Sequence, residues 1–255
     1  MKRSLALVVL AAAVLGAVVR AGAADVKILS AHGMRDSVRE LQVQIQQATG
    51  HQVAMKFDEA GNLRRLLQGG EAADVVVLPR NVMDQLLGDG KVAPGTIVDL
   101  ARTEIGVGVR AGMAKPDMSS ADGFKRALLA AKTVVITDPA SGGVSGVHMA
   151  NVFERLGIAE QMKPKLKLHT GGYNAEFVAK GEADMAFQLA NEVRAVPGVD
   201  FIPLPSEFQR VFIFSGALGA GAKDPAAAKS VLAVLSGPAG VAAIRAMRLE
   251  PLAGK

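Results

Sequence analysis

The chain has 255 residues, half of them hydrophobic, with 29 lysines and arginines against 24 acids and a formal net charge of +5. It contains no cysteine, which excludes a disulfide scaffold, and no tryptophan, one tyrosine and nine phenylalanines, which argues against an aromatic platform for stacking bases or sugars. Three cations, Lys2, Arg3 and Arg20, sit in the first 20 residues; without them the charge is +2 and no basic run remains to hold nucleic acid.

Residues 1–23 read as a secretory signal: Lys2 and Arg3, an apolar run over 5–19, then the small residues Ala21, Gly22 and Ala23. The run is shorter than the ~20 residues that span a bilayer, so cleavage and a periplasmic protein without a membrane anchor are expected. The remaining 232 residues are enough for two lobes around a disulfide-free core.

From there strand and helix alternate. A strand is expected over 26–30, a turn over 31–34, and a helix over 35–49 ended by Gly50, with Val38, Leu41, Ile45 and Ala48 on one face. A strand over 53–57, a helix over 62–68, a continuous apolar strand over 74–78 and a helix over 81–87 follow. The pattern then renews itself. A strand over 105–110 is expected to cross between lobes, and Ser119 with Asp122 forms a capping box for a helix to residue 131. Strands are expected over 133–136, 166–169, 185–189 and 201–204, with helices over 144–156 and 173–180. The run at 211–214 reads as the return crossing, and two helices, 225–235 and 238–248, each begin with proline. Such alternation predicts an α/β protein whose lobes are mostly parallel sheets flanked by helices. Residues 24–105 and 211–255 are assigned to lobe 1, and 106–210 to lobe 2.

Open α/β sheets bind ligands outside the carboxyl ends of their strands, where loops enter helices. Four such loops are built of small residues: 30–34, 58–62, 140–146 and 169–174. Helix N-termini carry unpaired N–H groups and the positive end of the dipole, so their convergence suits a small anion. The expected ligand-binding residues are Ala31, His32, Gly33, Met34, Arg35, Ala60, Gly61, Ser141, Ser145, Gly146, His148, Gly171 and Gln188. If the cleft carries chemistry, His32 and His148 are its acid–base candidates and Arg35 its carboxylate clamp. His51 and His169 share no metal-ligand spacing, and neither a P-loop nor a nucleophile elbow occurs, so no cofactor and no metal are expected.

The segments ILSAHGMRDSV, FDEAGNLRRLLQGGEAADVVVLP, TDPASGGVSGVHMANVFERLGI and KGEADMAFQLANEV, in this order, resemble the successive motifs of type II periplasmic solute-binding proteins. The branch most similar is that of the molybdate-binding components of ABC importers. GMRDSVRE, KPDMS and GEADMAFQLANE are also similar to a related branch that includes aconitate isomerases. The resemblance implies a monomeric two-lobed receptor that holds a small oxyanion or carboxylate in the interlobe cleft and serves an ABC permease; in the related branch it implies a periplasmic isomerase of a polycarboxylate. It also implies Ser hydroxyls around the anion, yet the first such position falls on Gly33 and the second on Ala60 or Gly61. A family tyrosine falls on Leu189, beside Gln188, while Ser145 keeps a hydroxyl in the third loop. Asp58 and Glu59 add two carboxylates to the second loop.

Overall fold

The computed structural model describes residues 23–252, so the expected leader lies outside the described residues except for Ala23. The first unit is β1 (Asp25–Ala31), α1 (Arg35–Glu40), α2 (Gln42–Thr49), β2 (Gln52–Asp58), α3 (Ala60–Gln68), β3 (Val75–Pro79) and α4 (Arg80–Gly88). β1 pairs in parallel with β2 and β3, and every residue of β3 is buried, as a continuous apolar run between two helical layers requires. The helix expected over 35–49 is two helices. At Leu41 the N–H bonds to Val38 O, three residues back, which tightens that turn and breaks the regular repeat. Gly50 ends α2 in the left-handed region at φ 73°, where glycine carries no Cβ penalty.

β4 (Val98–Arg110) is 13 residues long, more than twice the strand expected at 105–110. Its first part was hidden by the polar residues Asp99, Arg102, Thr103 and Glu104 and by an irregularity between Asp99 and Ala101. Then come α5 (Ala121–Ala130), β5 (Val134–Thr137), α6 (Val144–Arg155), α7 (Ala159–Met162), β6 (Leu166–His169), α8 (Ala175–Ala179), β7 (Met185–Leu189), α9 (Ala190–Arg194) and β8 (Val199–Pro203). The chain finishes with β9 (Val211–Leu218), α10 (Pro225–Ser236), α11 (Pro238–Ala246) and β10 (Glu250–Pro251). The cap of α5 is Ser120, whose Oγ accepts from Gly123 N–H at 3.1 Å, not the expected Ser119, whose hydroxyl donates to Asp117 instead. α8 starts later than expected because the Asn174 N–H is taken by Gln188 Oε1 at 2.7 Å.

The strands run β2-β1-β3-β9-β4-β7-β5-β6, and β8 and β10 also pair with β4. Residues 98–104 of β4 lie antiparallel to β9, while 105–110 pair with β7 and β8. One strand therefore joins a first half, built on β1, β2, β3 and β9, to a second half, built on β5, β6, β7 and β8. Within each half the neighbours of β1 and of β5 are parallel, so the carboxyl ends of β1, β5 and β7 converge where the halves meet. α10 and α11 pack on α2, α1 and β9 in the first half. Buried Asp74 ties that half together, accepting from Lys27 N–H and Lys223 N–H, each at 2.7 Å.

Candidate functional site

Where the two halves meet, a cavity of about 20 Å³, room for one water, is enclosed by both. The first half supplies Ala31, His32 and Gly33 after β1, Glu59 and Ala60 at the start of α3, Pro79, and Phe214 of β9. The second supplies Thr137 at the end of β5, Val144 and Ser145 at the start of α6, Gln188 and Leu189 at the end of β7, and Glu192 of α9. A larger groove of about 730 Å³, bordered by Arg110, Met113, Arg126 and Asp184, lies at the opposite ends of β5 and β7, away from the loops where such sheets hold ligands.

The halves are in contact across the cavity. Gly61 N–H donates to Gly142 O at 3.2 Å, and a Cβ on Gly61 would stand 2.6 Å from Gly142 Cα. Main chain meets main chain there, which only glycine at both positions permits. Arg35 Nη1 donates to Gly171 O at 3.1 Å, its guanidinium lies over the Tyr173 ring, and the Tyr173 hydroxyl donates to Asp36. Burial and that bond to Asp36 raise the Tyr173 pKa, so the phenol stays protonated as a donor. Asn191 Nδ2 donates to Gly33 O at 3.1 Å while its Oδ1 accepts from Thr103 Oγ1.

Within the cavity His32 Nδ1 lies 3.2 Å from Glu59 Oε1, both side chains largely buried. Ser145 Oγ and Thr137 Oγ1 are 3.1 Å apart. Gln188 is fixed from both ends, accepting from Asn174 N–H and donating to Gly172 O. Glu192, third residue of α9, accepts from Leu189 N–H at 3.3 Å, and burial together with the charge of Glu59 pushes its carboxyl up to about 8. The closed arrangement therefore favours its neutral, protonated form.

Of the residues expected from sequence, Ala31, His32, Gly33, Ala60, Ser145 and Gln188 line this cavity. Gly61, Gly171 and Arg35 instead make the contacts that join the halves. Met34 is in the core, and Ser141 Oγ caps its own turn by donating to Asp138 O. Gly146 packs against β5, where a Cβ would stand 2.0 Å from Thr137 O, so it is a packing residue of α6. His148 points away from the cavity. Its Nε2 lies 2.7 Å from Phe208 O, its ring meets Phe212 edge-on, and burial lowers its pKa, with Arg210 and Arg155 acting in the same sense. His148 follows Ser145 by three residues on α6, but its ring is turned to the segment 208–212, where it meets Phe208 O and the Phe212 ring. Gly33 lacks a side chain because none fits; a Cβ there would meet Phe214 at 2.6 Å and Leu189 at 2.7 Å. The position of the missing hydroxyl is filled by apolar side chains from both halves. Glu192, Thr137 and Phe214 were not singled out in the sequence; the one signal for Glu192 is an acid in the turn after the buried strand MAFQL.

Over residues 26–247 the sequence matches the bacterial extracellular solute-binding protein family. It is 32% identical over 232 residues to an aconitate isomerase of a Pseudomonas species, covering 88% of this chain and 87% of that one. Among solved structures it resembles the periplasmic molybdate-binding protein of Azotobacter vinelandii, with a TM-score of 0.69 at 18% identity over 88% of this chain and 98% of that one. The sulfate-binding protein SubI of Mycobacterium tuberculosis gives a TM-score of 0.68 at 17% identity, over 90% of this chain and 87% of that one. At such identities the likeness is one of fold: two lobes of mixed α/β structure with a cleft between them.

Proposed function

Because the chain belongs to the bacterial extracellular solute-binding protein family, we propose that it is a periplasmic receptor that captures a small polycarboxylate between its lobes for an ABC permease. On this reading lobe 1 is 24–105 with 211–255 and lobe 2 is 106–210, joined by β4 and by the segment leading into β9. The observation that carries the choice of ligand is the pair of acids, Glu59 and Glu192, in a cavity with no hydroxyl at Gly33 or Ala60. A tetrahedral oxyanion draws on several hydroxyl donors, and at Gly33 that place is taken by the apolar side chains of Phe214 and Leu189. A carboxylate ligand accepts a hydrogen bond from protonated Glu192, and His32, Ser145, Thr137 and Gln188 supply further donors.

A second reading is a polycarboxylate isomerase, favoured by the His32–Glu59 contact at 3.2 Å. An imidazole oriented by a carboxylate inside a closing cleft is an arrangement suited to proton transfer from carbon. The 32% identical aconitate isomerase supports it. On this reading His32 takes the place expected of His148. A thermal-shift series with molybdate, tungstate, sulfate, citrate and both aconitate isomers tests the receptor reading; saturation at a hundred times the Kd adds about 2.7 kcal/mol. Stabilisation by the organic acids and not by the oxyanions is expected, and the reverse overturns the choice of ligand. Incubation with trans-aconitate, followed by NMR for the cis isomer, then separates the two readings: an unchanged ligand identifies a receptor.

A further inference from the structure

We propose that Glu192 is the proton carrier of the cleft: the lobes close on an anionic ligand with this residue as a neutral acid, whose O–H donates to the ligand, so that capture takes up a proton. The inference rests on the carboxylate reading above and explains how a site containing two acids accepts an anion.

Glu192 is 6% exposed and borders the same cavity as Glu59. One of its oxygens accepts from Leu189 N–H, a bond that favours the ionised form but is outweighed by burial and by the charge of Glu59. The charged groups around it come from two places. The turn after β1 brings His32, Arg35 and Asp36, and the start of α3 brings Glu59. β7 contributes uncharged Gln188. β4 and β8, which also pack on α9, bring no titratable side chain to the cavity, because Glu104 and Asp200 face outward beside Arg194 and Lys115. Arg35 is already engaged by Asp36 and Gly171 O, and His32 by Glu59. An ionised Glu192 thus has no counter-charge of its own in the closed state. A neutral carboxylic acid kept in a poorly solvated site is a strong donor to an anion.

The sign follows. The closed protein holds a proton that Glu192 releases wherever it meets water, in the open form as in the unfolded chain, so closure takes up a proton and the stabilisation is complete below the ordinary carboxylate pKa. It is lost as pH rises toward about 8.

The test is calorimetry of trans-aconitate, fully ionised near neutral pH, with the whole mature chain and with Glu192→Gln. Glutamine keeps the acceptor for Leu189 N–H and a donor for the ligand but carries no exchangeable charge. Titration in two buffers of different ionisation enthalpy should show uptake of about one proton by the wild type and none by the variant. Affinity of the wild type should fall by up to roughly tenfold per pH unit from about pH 6 to about pH 8, while that of the variant stays flat. Equal slopes, or no proton uptake by the wild type, overturn the inference while leaving the carboxylate reading intact. If trans-aconitate does not bind, that reading fails, and the inference is decided without ligand. Thermal unfolding over the same pH range should then show the wild type losing stability relative to Glu192→Gln as pH rises; parallel curves overturn it.

Discussion

Gly61 and Gly142 meet backbone to backbone across the cleft, with a hydrogen bond between them and no space for a methyl group on either. Gly61 is also the second residue of α3, where alanine would otherwise favour the helix by about 0.5–1 kcal/mol. Gly61→Ala should therefore separate two properties. The urea midpoint should stay unchanged or rise, while ligand affinity falls roughly tenfold to a hundredfold, the equivalent of about 1–3 kcal/mol of overpacking in the closed state. Parallel denaturation and calorimetry check it, and a variant that binds as the wild type does would place closure elsewhere. At this scale the sequence revealed expected cavity residues that sit in small-residue loops, Ala31, His32, Gly33, Ala60 and Ser145. It did not reveal Glu192, since its significance depends on proximity to Glu59, 133 positions away in the chain. His148 was expected in the cleft because it follows a loop that faces the cleft; in the fold its ring turns instead to Phe208 and Phe212.

Among the described elements, β4 matters most, because of the described strands it alone pairs with strands of both halves. It is crowded at Gly106, where a Cβ would stand 2.4 Å from Ile202 O and 2.4 Å from the Phe201 ring of β8. Gly106→Val should cost about 1–3 kcal/mol, read as a lower urea midpoint, since neither the β8 backbone nor the neighbouring β7 ladder can yield without losing hydrogen bonds. An unchanged midpoint would mean that β8 is loosely held. Strands such as β3, β6 and β7 were legible because apolar runs or short blocks between turns admit little else. The N-terminal part of β4 alternates buried and charged residues without a clear run, and α7 and α9, at four and five residues, are too short for helical periodicity to register.

For the molecule as a whole, the described state is the closed one, and identifiable bonds hold it. The Tyr173–Asp36 and Arg35–Gly171 bonds join turns that belong to different halves. A receptor needs its open and closed forms close in free energy, so that a ligand decides between them. Tyr173→Phe removes the bond to Asp36 and should shift that balance by about 1 kcal/mol, less than a buried charge-assisted bond because this carboxylate is partly exposed. The unliganded variant should show a larger radius of gyration by small-angle X-ray scattering, and its apparent affinity should fall roughly fivefold as the competent fraction falls. A wild-type scattering curve with weakened binding would instead make Tyr173 a direct ligand contact. The two-lobed architecture could be anticipated from the order of motifs along the chain. The closing contacts could not, because each pairs residues from distant segments whose approach only the assembled sheet determines.

The contact between Gly61 and Gly142 also bears on how such a scaffold diversifies. A gap defined by side chains can be widened or narrowed by one substitution, and new specificities follow in small steps. Here the nearest approach of the lobes is set by two peptide backbones, which no single exchange makes closer. Descendants of this chain that come to accept larger or smaller molecules must therefore do so through the walls, at Phe214, Leu189 and Val144, while the two glycines stay as they are.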